Sequence, residues 1–335
     1  MELEIMNDNH STTYSITTRL QAVIVLLRPH QYYKNILVFF GLFFSANLFR
    51  DDLWIPIALA FIALCMISSL TYIINDFKDR EKDQHHPEKS KRPLPSGKIS
   101  TFQVIIIALL LILLLFTIIM ILPLSIDSST SVAVTIPSKK AFILVLGGLF
   151  ITSQVYSFFL KHIVFADVIT ISVNYVWRAI AGAVLISVSV SPWLIILCFI
   201  TAMMLSLAKR KGDLTFLGAK AKHHKQVLEM YTQELLDQSL ATVVAIELLA
   251  IFIYLIERHP DETVFIVLAL PFFTFVIFRF LYLASRDSIE GRRAELLFLD
   301  KQIMFVGILI VLLFFLAIYH PNFLDDLIGI PDPNL

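Results

Sequence analysis

The chain has 335 residues, 57% of them hydrophobic and only 16% charged, with 28 Phe and a mean hydropathy of +0.78. A chain this apolar cannot present a wetted surface as a soluble globule, so composition alone points to an integral membrane protein. The formal net charge is zero, but the charges are segregated along the chain in a way that sets topology. Cys65 and Cys198 both fall in apolar runs, with neither CxxC nor metal-ligand spacing, and read as small lipid- or core-facing residues. Residues 1–20 carry Glu2, Glu4 and Asp8 rather than a basic stretch ahead of an apolar core, so no cleavable signal peptide is expected.

In chain order, a polar cytoplasmic tail (1–22) leads into QAVIVLLRP (21–29), which reads as a short interfacial helix stopped by Pro29. About nine apolar stretches follow at 32–49, 54–75, 103–124, 141–160, 168–188, 192–208, 239–256, 264–283 and 302–319. Each is close to the roughly 20 helical residues that cross a hydrocarbon core. The first differs from the rest in starting with the polar RPHQYYKN (28–35). The predicted architecture is therefore all-α and polytopic. Its membrane domain covers 23–320, and a short tail (321–335) follows on the far side.

Lys and Arg favour the cytoplasmic side. With the N-terminus inside, only Arg50, Lys139, Lys140 and Arg258 of the 27 basic residues fall outside, Arg178 and Arg279 lie within spans, and all others are cytoplasmic. The expected topology in the plasma (cell) membrane is N-in and C-out. The longer polar segments after spans two, six and eight then share the cytoplasmic face. Two of them, MYTQELLDQ (230–238) and SIEGRRAELLFLDK (288–301), have helical apolar spacing and are expected to cap the membrane domain. The arrangement suits a water-filled pocket that opens to the cytoplasm.

The densest chemistry lies in NDFKDREKDQHHPEKSKRPLPSG, residues 75–97. Asp76, Asp79 and Asp83 are three and then four residues apart, directly off an apolar span, so a continuing helix projects all three from one face with Asn75 beside them. Such a face repels itself unless a cation sits on it; a solvated loop is the plainer alternative. Hard oxygen ligands suit Mg2+, which keeps several waters and bridges to substrate phosphates. Lys89, Lys91 and Arg92 follow within reach of the same anion, with Pro93 and Pro95 stiffening the return. Acids for a metal and bases for a phosphate describe one diphosphate site.

The pattern NDxxDxxxD followed by HPxKxxRPLxSG resembles the first signature of the UbiA-type intramembrane prenyltransferases, helical membrane enzymes that use Mg2+ and a prenyl lipid. The resemblance implies a UbiA-like bundle of about nine transmembrane helices with its active site facing the cytoplasm. RPHQYYKN, YSFFLKHIVFADV (156–168), NYVWRAIAGA (174–183), LAKRKGDLTFLG (207–218) and HHKQVLEMYTQELLDQ (223–238) together are similar to the decaprenyl-phosphate phosphoribosyltransferase branch. The likeness spans roughly 23–240. It implies that the diphosphate belongs to phosphoribosyl pyrophosphate and that a polyprenyl phosphate attacks the ribose C1. No nucleic-acid partner is expected. Two departures stand out. Aromatic prenyltransferases of the family carry a second DxxxD motif, but here Asp167 is followed four residues on by Ile171. Asp213 stands where the phosphoribosyl branch is expected to have Glu.

Carried onto these positions, Lys161 holds a phosphate, Asp167 joins a metal or a ribose hydroxyl, and Tyr156 lines the same cavity as the Asp cluster. Without the family, Lys161 is equally a snorkelling side chain and Asp167 an N-cap. Arg178 lies roughly ten residues into span five, where a charge calls for a ligand or a partner; it is assigned to substrate phosphate, with a structural ion pair as the alternative. Lys34, Asn35, Lys209 and Arg210 are further substrate contacts, as is Asp213. His85, His86, His223 and His224 lack zinc spacing and read as loop residues, with His86 the one that would line the site.

The reaction this implies is displacement at an anomeric carbon by an anion already ionised at neutral pH, with departure of diphosphate. Two alternatives stay open. One is prenyl transfer from a prenyl diphosphate to an aromatic or glycerol-type acceptor. The other is a transporter or cation-binding channel, against which stand the lack of an inverted repeat and of paired broken spans.

Overall fold

The computed structural model describes residues 16–84, 89–126, 138–217, 226–258, 263–285, 300–320 and 323. His85, His86, His223, His224 and most of 288–301 lie outside them. The described residues are helical with no strand. They form α1 (Ile16–Leu27), a 3-10 segment (Pro29–Phe39), α2 (Phe40–Phe44), α3 (Asp51–Lys78), α4 (Arg80–Gln84) and α5 (Thr101–Ile121). These are followed by α6 (Ser138–Phe158), α7 (Ala166–Leu185), α8 (Pro192–Leu217), α9 (Gln233–Arg258), α10 (Thr263–Ser285) and α11 (Lys301–Tyr319). Among the described residues eight helices, α3 and α5 to α11, are long and apolar enough to cross a membrane. All eight coincide with predicted spans.

The predicted first span, 32–49, takes another form: the 3-10 segment followed by the five-residue α2. Along the observed path Asn35 is fully buried and bonded to Arg178.

The chain divides into two compact units, Met1–Tyr33 with Ala63–Ile121 and Lys34–Ile62 with Leu122–Leu335. In the first, α1 is too short to span a bilayer. Its Ala22 and Leu26, one turn apart, bury against Ile73, Leu94, Ile99 and Val104, while Leu20, Ile24 and Val25 stay exposed. Pro29 cannot extend the helix, and Arg28 ends it in the left-handed region (φ 55°) with its N–H on the Ile24 carbonyl at 3.2 Å. A 28-residue helix such as α3 is about 42 Å long, more than the roughly 30 Å hydrocarbon core. The excess lets its polar C-terminal end, with Asn75 and Asp76, stand clear of the apolar stretch.

The core of the second unit is built from α7 to α11 around Val168, Met204, Leu207, Leu240, Val244, Phe265 and Phe314. The 3-10 segment lies directly on α7. A Cβ at Gly182 would sit 1.8 Å from the Val38 carbonyl oxygen, and one at Gly41 would sit 2.6 Å from the Ala183 nitrogen. Only glycine permits that approach. At the end of α11, the Tyr319 hydroxyl accepts from Leu48 N and donates to the Phe43 carbonyl, both at 3.0 Å, pinning the turn after α2.

Candidate active site

Predicted residues gather in one polar cluster in the first unit and in two in the second, around Arg178 and around Asp167. In the first, the helical hydrogen bonds run on past α3: Asp79 N to Asn75 O at 2.9 Å and Asp83 N to Asp79 O at 2.8 Å. The carboxylates therefore keep helical spacing as expected, but they are not equivalent. Asp76 and Asp83, two turns apart, are both 2% exposed, while Asp79 is half-buried. Arg92 Nη1 donates to Asp76 Oδ1 at 3.0 Å and to Asp83 Oδ2 at 2.8 Å, and Lys89 Nζ lies 3.8 Å from Asp83 Oδ1.

Arg92 is held by the return of the chain. Ser96 N bonds the Arg92 carbonyl at 3.0 Å, Leu94 is buried, and Gly97, at φ 72°, closes the turn in a conformation that side chains disfavour. A second guanidinium comes from Arg28, whose Nη2 donates to Asp76 Oδ1 at 2.6 Å and whose head lies over the Tyr72 ring at 4.9 Å. The Ser69 hydroxyl donates to the Leu27 carbonyl at 2.9 Å, so at the 2.8 Å contact between them Tyr32 donates to Ser69. This relay fixes the corner that aims Arg28.

Among the described residues no three His, Cys, Asp or Glu side chains converge closely enough to hold a metal by themselves. The acids nevertheless fit a hard divalent cation. Two buried carboxylates already converge on one positive atom, the Arg92 Nη1, and Mg2+ commonly takes one or two carboxylates and completes its shell with water and substrate phosphate.

In the second unit, the Arg178 guanidinium is buried in α7. Its Nε donates to Asn35 Oδ1 at 2.9 Å and its Nη1 to the Asn174 carbonyl, while Thr152 donates to Asn174 Oδ1 at 2.6 Å. Among the described residues it has no acidic partner. The alternative of a structural ion pair thus finds no acid, only neutral oxygens.

Asp167, fully buried, opens α7 and has both oxygens occupied. Oδ2 accepts from Arg210 Nε at 2.7 Å and Oδ1 from the Tyr231 hydroxyl at 2.8 Å. Asp213 lies one turn from Arg210, at 3.9 Å from its Nη1, and the Tyr156 hydroxyl lies beside the same guanidinium. Lys34, Lys161 and Lys209 are half-buried.

Four contributors escaped the reading of the sequence. Arg28 begins RPHQYYKN, and Asn174 precedes Arg178 by one turn; both signals were visible. Tyr231 sits in a stretch read only as an amphipathic cap. Glu247, in α9, is 4% exposed: Oε1 accepts from Thr201, and Oε2 has no hydrogen-bond partner among the described residues.

The fold is that of a multi-pass helical membrane protein. Residues 35–306 match the UbiA prenyltransferase family, and the chain belongs to it. Its relatives include proteins of the branch that the motifs resemble. The decaprenyl-phosphate phosphoribosyltransferase of Corynebacterium glutamicum is 26% identical over 303 residues, covering 89% of this chain and 86% of the relative. The enzyme of that name from Mycolicibacterium smegmatis is 25% identical over 65% of this chain and 64% of its own length. Among solved structures, a UbiA homologue from Archaeoglobus fulgidus bound to DMAPP and Mg2+ superposes with a TM-score of 0.62 at 18% identity, covering 88% of this chain and 98% of that one. That likeness is one of fold.

Proposed function

We propose that this protein transfers a 5-phosphoribosyl group from phosphoribosyl pyrophosphate to a polyprenyl phosphate such as decaprenyl phosphate, releasing diphosphate in a Mg2+-dependent reaction. The observation that carries the proposal is the full occupancy of Asp167. Its two oxygens serve Arg210 and Tyr231, which suits a structural counter-ion better than half of a second acidic metal motif. One acidic cluster, for one diphosphate, is what the phosphoribosyl reaction needs. The names of the two relatives above support the same donor and acceptor.

In this reading Asp76 and Asp83, with Asn75 and Asp79 alongside, hold the metal, which when bound neutralises charge on the departing diphosphate. Arg28, Lys89 and Arg92 supply further positive charge to the same anion. Lys161 and Arg178 bind substrate phosphate, with Lys34 and Lys209 adding positive potential, while Arg210 is neutralised by Asp167. Arg178 suits an anion because its hydrogen bonds go to neutral oxygens rather than to a carboxylate. The oxygen of the lipid phosphate forms the new bond to the ribose C1 as the bond from C1 to diphosphate breaks. The nucleophile is already an anion, so the side chains need only orient two repelling groups and stabilise the leaving one. The catalytic domain is 23–320, with the N-terminus and the reaction on the cytoplasmic side of the plasma membrane.

The test is to incubate the purified full chain with Mg2+, labelled phosphoribosyl pyrophosphate and a polyprenyl phosphate. Labelled lipid and free diphosphate are expected. Turnover of a prenyl diphosphate with an aromatic or glycerol-type acceptor, and none of the labelled donor, would sink the proposal.

A further inference from the structure

Tyr231 lies outside the membrane-spanning helices, between a 3-10 turn (Gln226–Glu229) and α9. Both flanks are anchored: Val227 and Leu228 are each 1% exposed, and Thr232 caps α9 by accepting from Leu235 N at 3.1 Å. The phenol, 3% exposed, is therefore a fixed object. What leans on it is the turn from Leu160 to Asp167. The Tyr231 hydroxyl accepts from Phe165 N at 2.8 Å and donates to Asp167 Oδ1 at 2.8 Å, and the two rings meet edge to face at 5.7 Å. Phe165 has φ 61°, a left-handed conformation that a bulky side chain adopts only when its surroundings impose it. One phenol thus supplies the acceptor for the strained residue and the donor for the acid that opens α7. Burial pushes the Tyr231 phenol up from its ordinary value, so it keeps its proton at neutral pH and the direction of both bonds is fixed.

The same turn carries Lys161, in its 3-10 segment Leu160–His162. We propose that Tyr231 is a positioning residue that sets the Leu160–Asp167 turn and, through it, the Lys161 ammonium against the substrate phosphate. This rests on the assignment of Lys161 to phosphate made above. Nothing in the local sequence MYTQELLDQ marks the tyrosine for that task; the juxtaposition comes from the fold.

The experiment is a double-mutant cycle in the full chain with Tyr231→Phe, which keeps the ring and removes both hydrogen bonds, and Lys161→Ala. It is run with whichever diphosphate donor and acceptor the wild type turns over, so it can fail separately from the choice of donor. Each single variant should raise KM for the phosphate-bearing substrate about tenfold with kcat within about twofold, and the double variant should be no worse than Lys161→Ala alone. Additive losses, or a KM unchanged by either single variant, would overturn the assignment. So would a lower melting temperature for Tyr231→Phe with unaltered kinetics, which is what a merely structural tyrosine would give.

Discussion

The Asp76–Asp83 cluster and the Asp167 cluster both pair acids with arginine, yet they differ in how their charges meet water. In the first, the acids are sealed but the cations are not: the side chains of Arg92, Lys89 and Arg28 are 29%, 27% and 21% exposed. In the second, Arg210 is 3% exposed and Asp167 not at all. A partly hydrated guanidinium can turn to a new anion at little cost, because water already shares its charge. A sealed pair cannot, since parting it strands a charge in a medium that does not solvate it. In the proposed reaction the Asp76–Asp83 cluster is the one that would exchange with a ligand, while Asp167–Arg210 would hold a shape.

The comparison is broken most directly at Asp167. Asp167→Ala should cost up to about 3–5 kcal/mol of stability by removing the near partner of buried Arg210, which keeps only the more distant Asp213, seen as a collapse of the thermal melt or of folded yield. A melt close to wild type would mean that the second cluster is not a scaffold. Asp83→Asn should do the reverse: Mg2+-dependent turnover falls by about 10²-fold or more, while the melt moves little because Arg92 and Lys89 remain partly in water. Near-full activity would reduce the first cluster to a solvated turn.

Smaller effects sharpen the picture. Gly182→Ala places a methyl on the Val38 carbonyl and should cost about 1–3 kcal/mol; because Asn35 lies one turn before Val38, binding of the phosphate substrate should weaken with it. Unchanged melting and KM would show that the 3-10 segment moves aside freely. Glu247→Gln keeps an acceptor for Thr201 without a charge, and should shift stability by less than about 1 kcal/mol. A loss of several-fold in kcat would instead give this acid a part in the reaction. The smallest effect is expected at Asp300, which accepts from Gln302 N and Ile303 N at the start of α11. The Arg279 guanidinium beside it, together with those N–H groups, holds its carboxyl below the usual range. A depressed value contributes stability above the unfolded carboxylate pKa and loses it as pH falls through the lower folded one. The gap in melting temperature between wild type and Asp300→Ser should therefore be constant from about pH 5 to 8 and close below about pH 4. A gap that widens in acid would contradict that sign.

Much of this protein was legible in the linear chain. Long apolar runs can cross a bilayer only as helices, because backbone groups find no water there, so eight spans followed from composition and length. The spacing of Asp76, Asp79 and Asp83, with Lys89 and Arg92 downstream, was likewise a matter of helical period and local charge. Burial then separated what period made alike, enclosing Asp76 and Asp83 and leaving Asp79 half-exposed. Only the tertiary structure decided that Arg28 reaches across 48 residues to Asp76, that Asn35 pairs with Arg178, and that Asp167 meets Arg210 and Tyr231. Those partners are distant in sequence and are chosen by close backbone approach, at Gly182 above all, and by the cost of leaving any buried charge or polar atom unpaired. Neither leaves a periodic trace that one strand of residues could display.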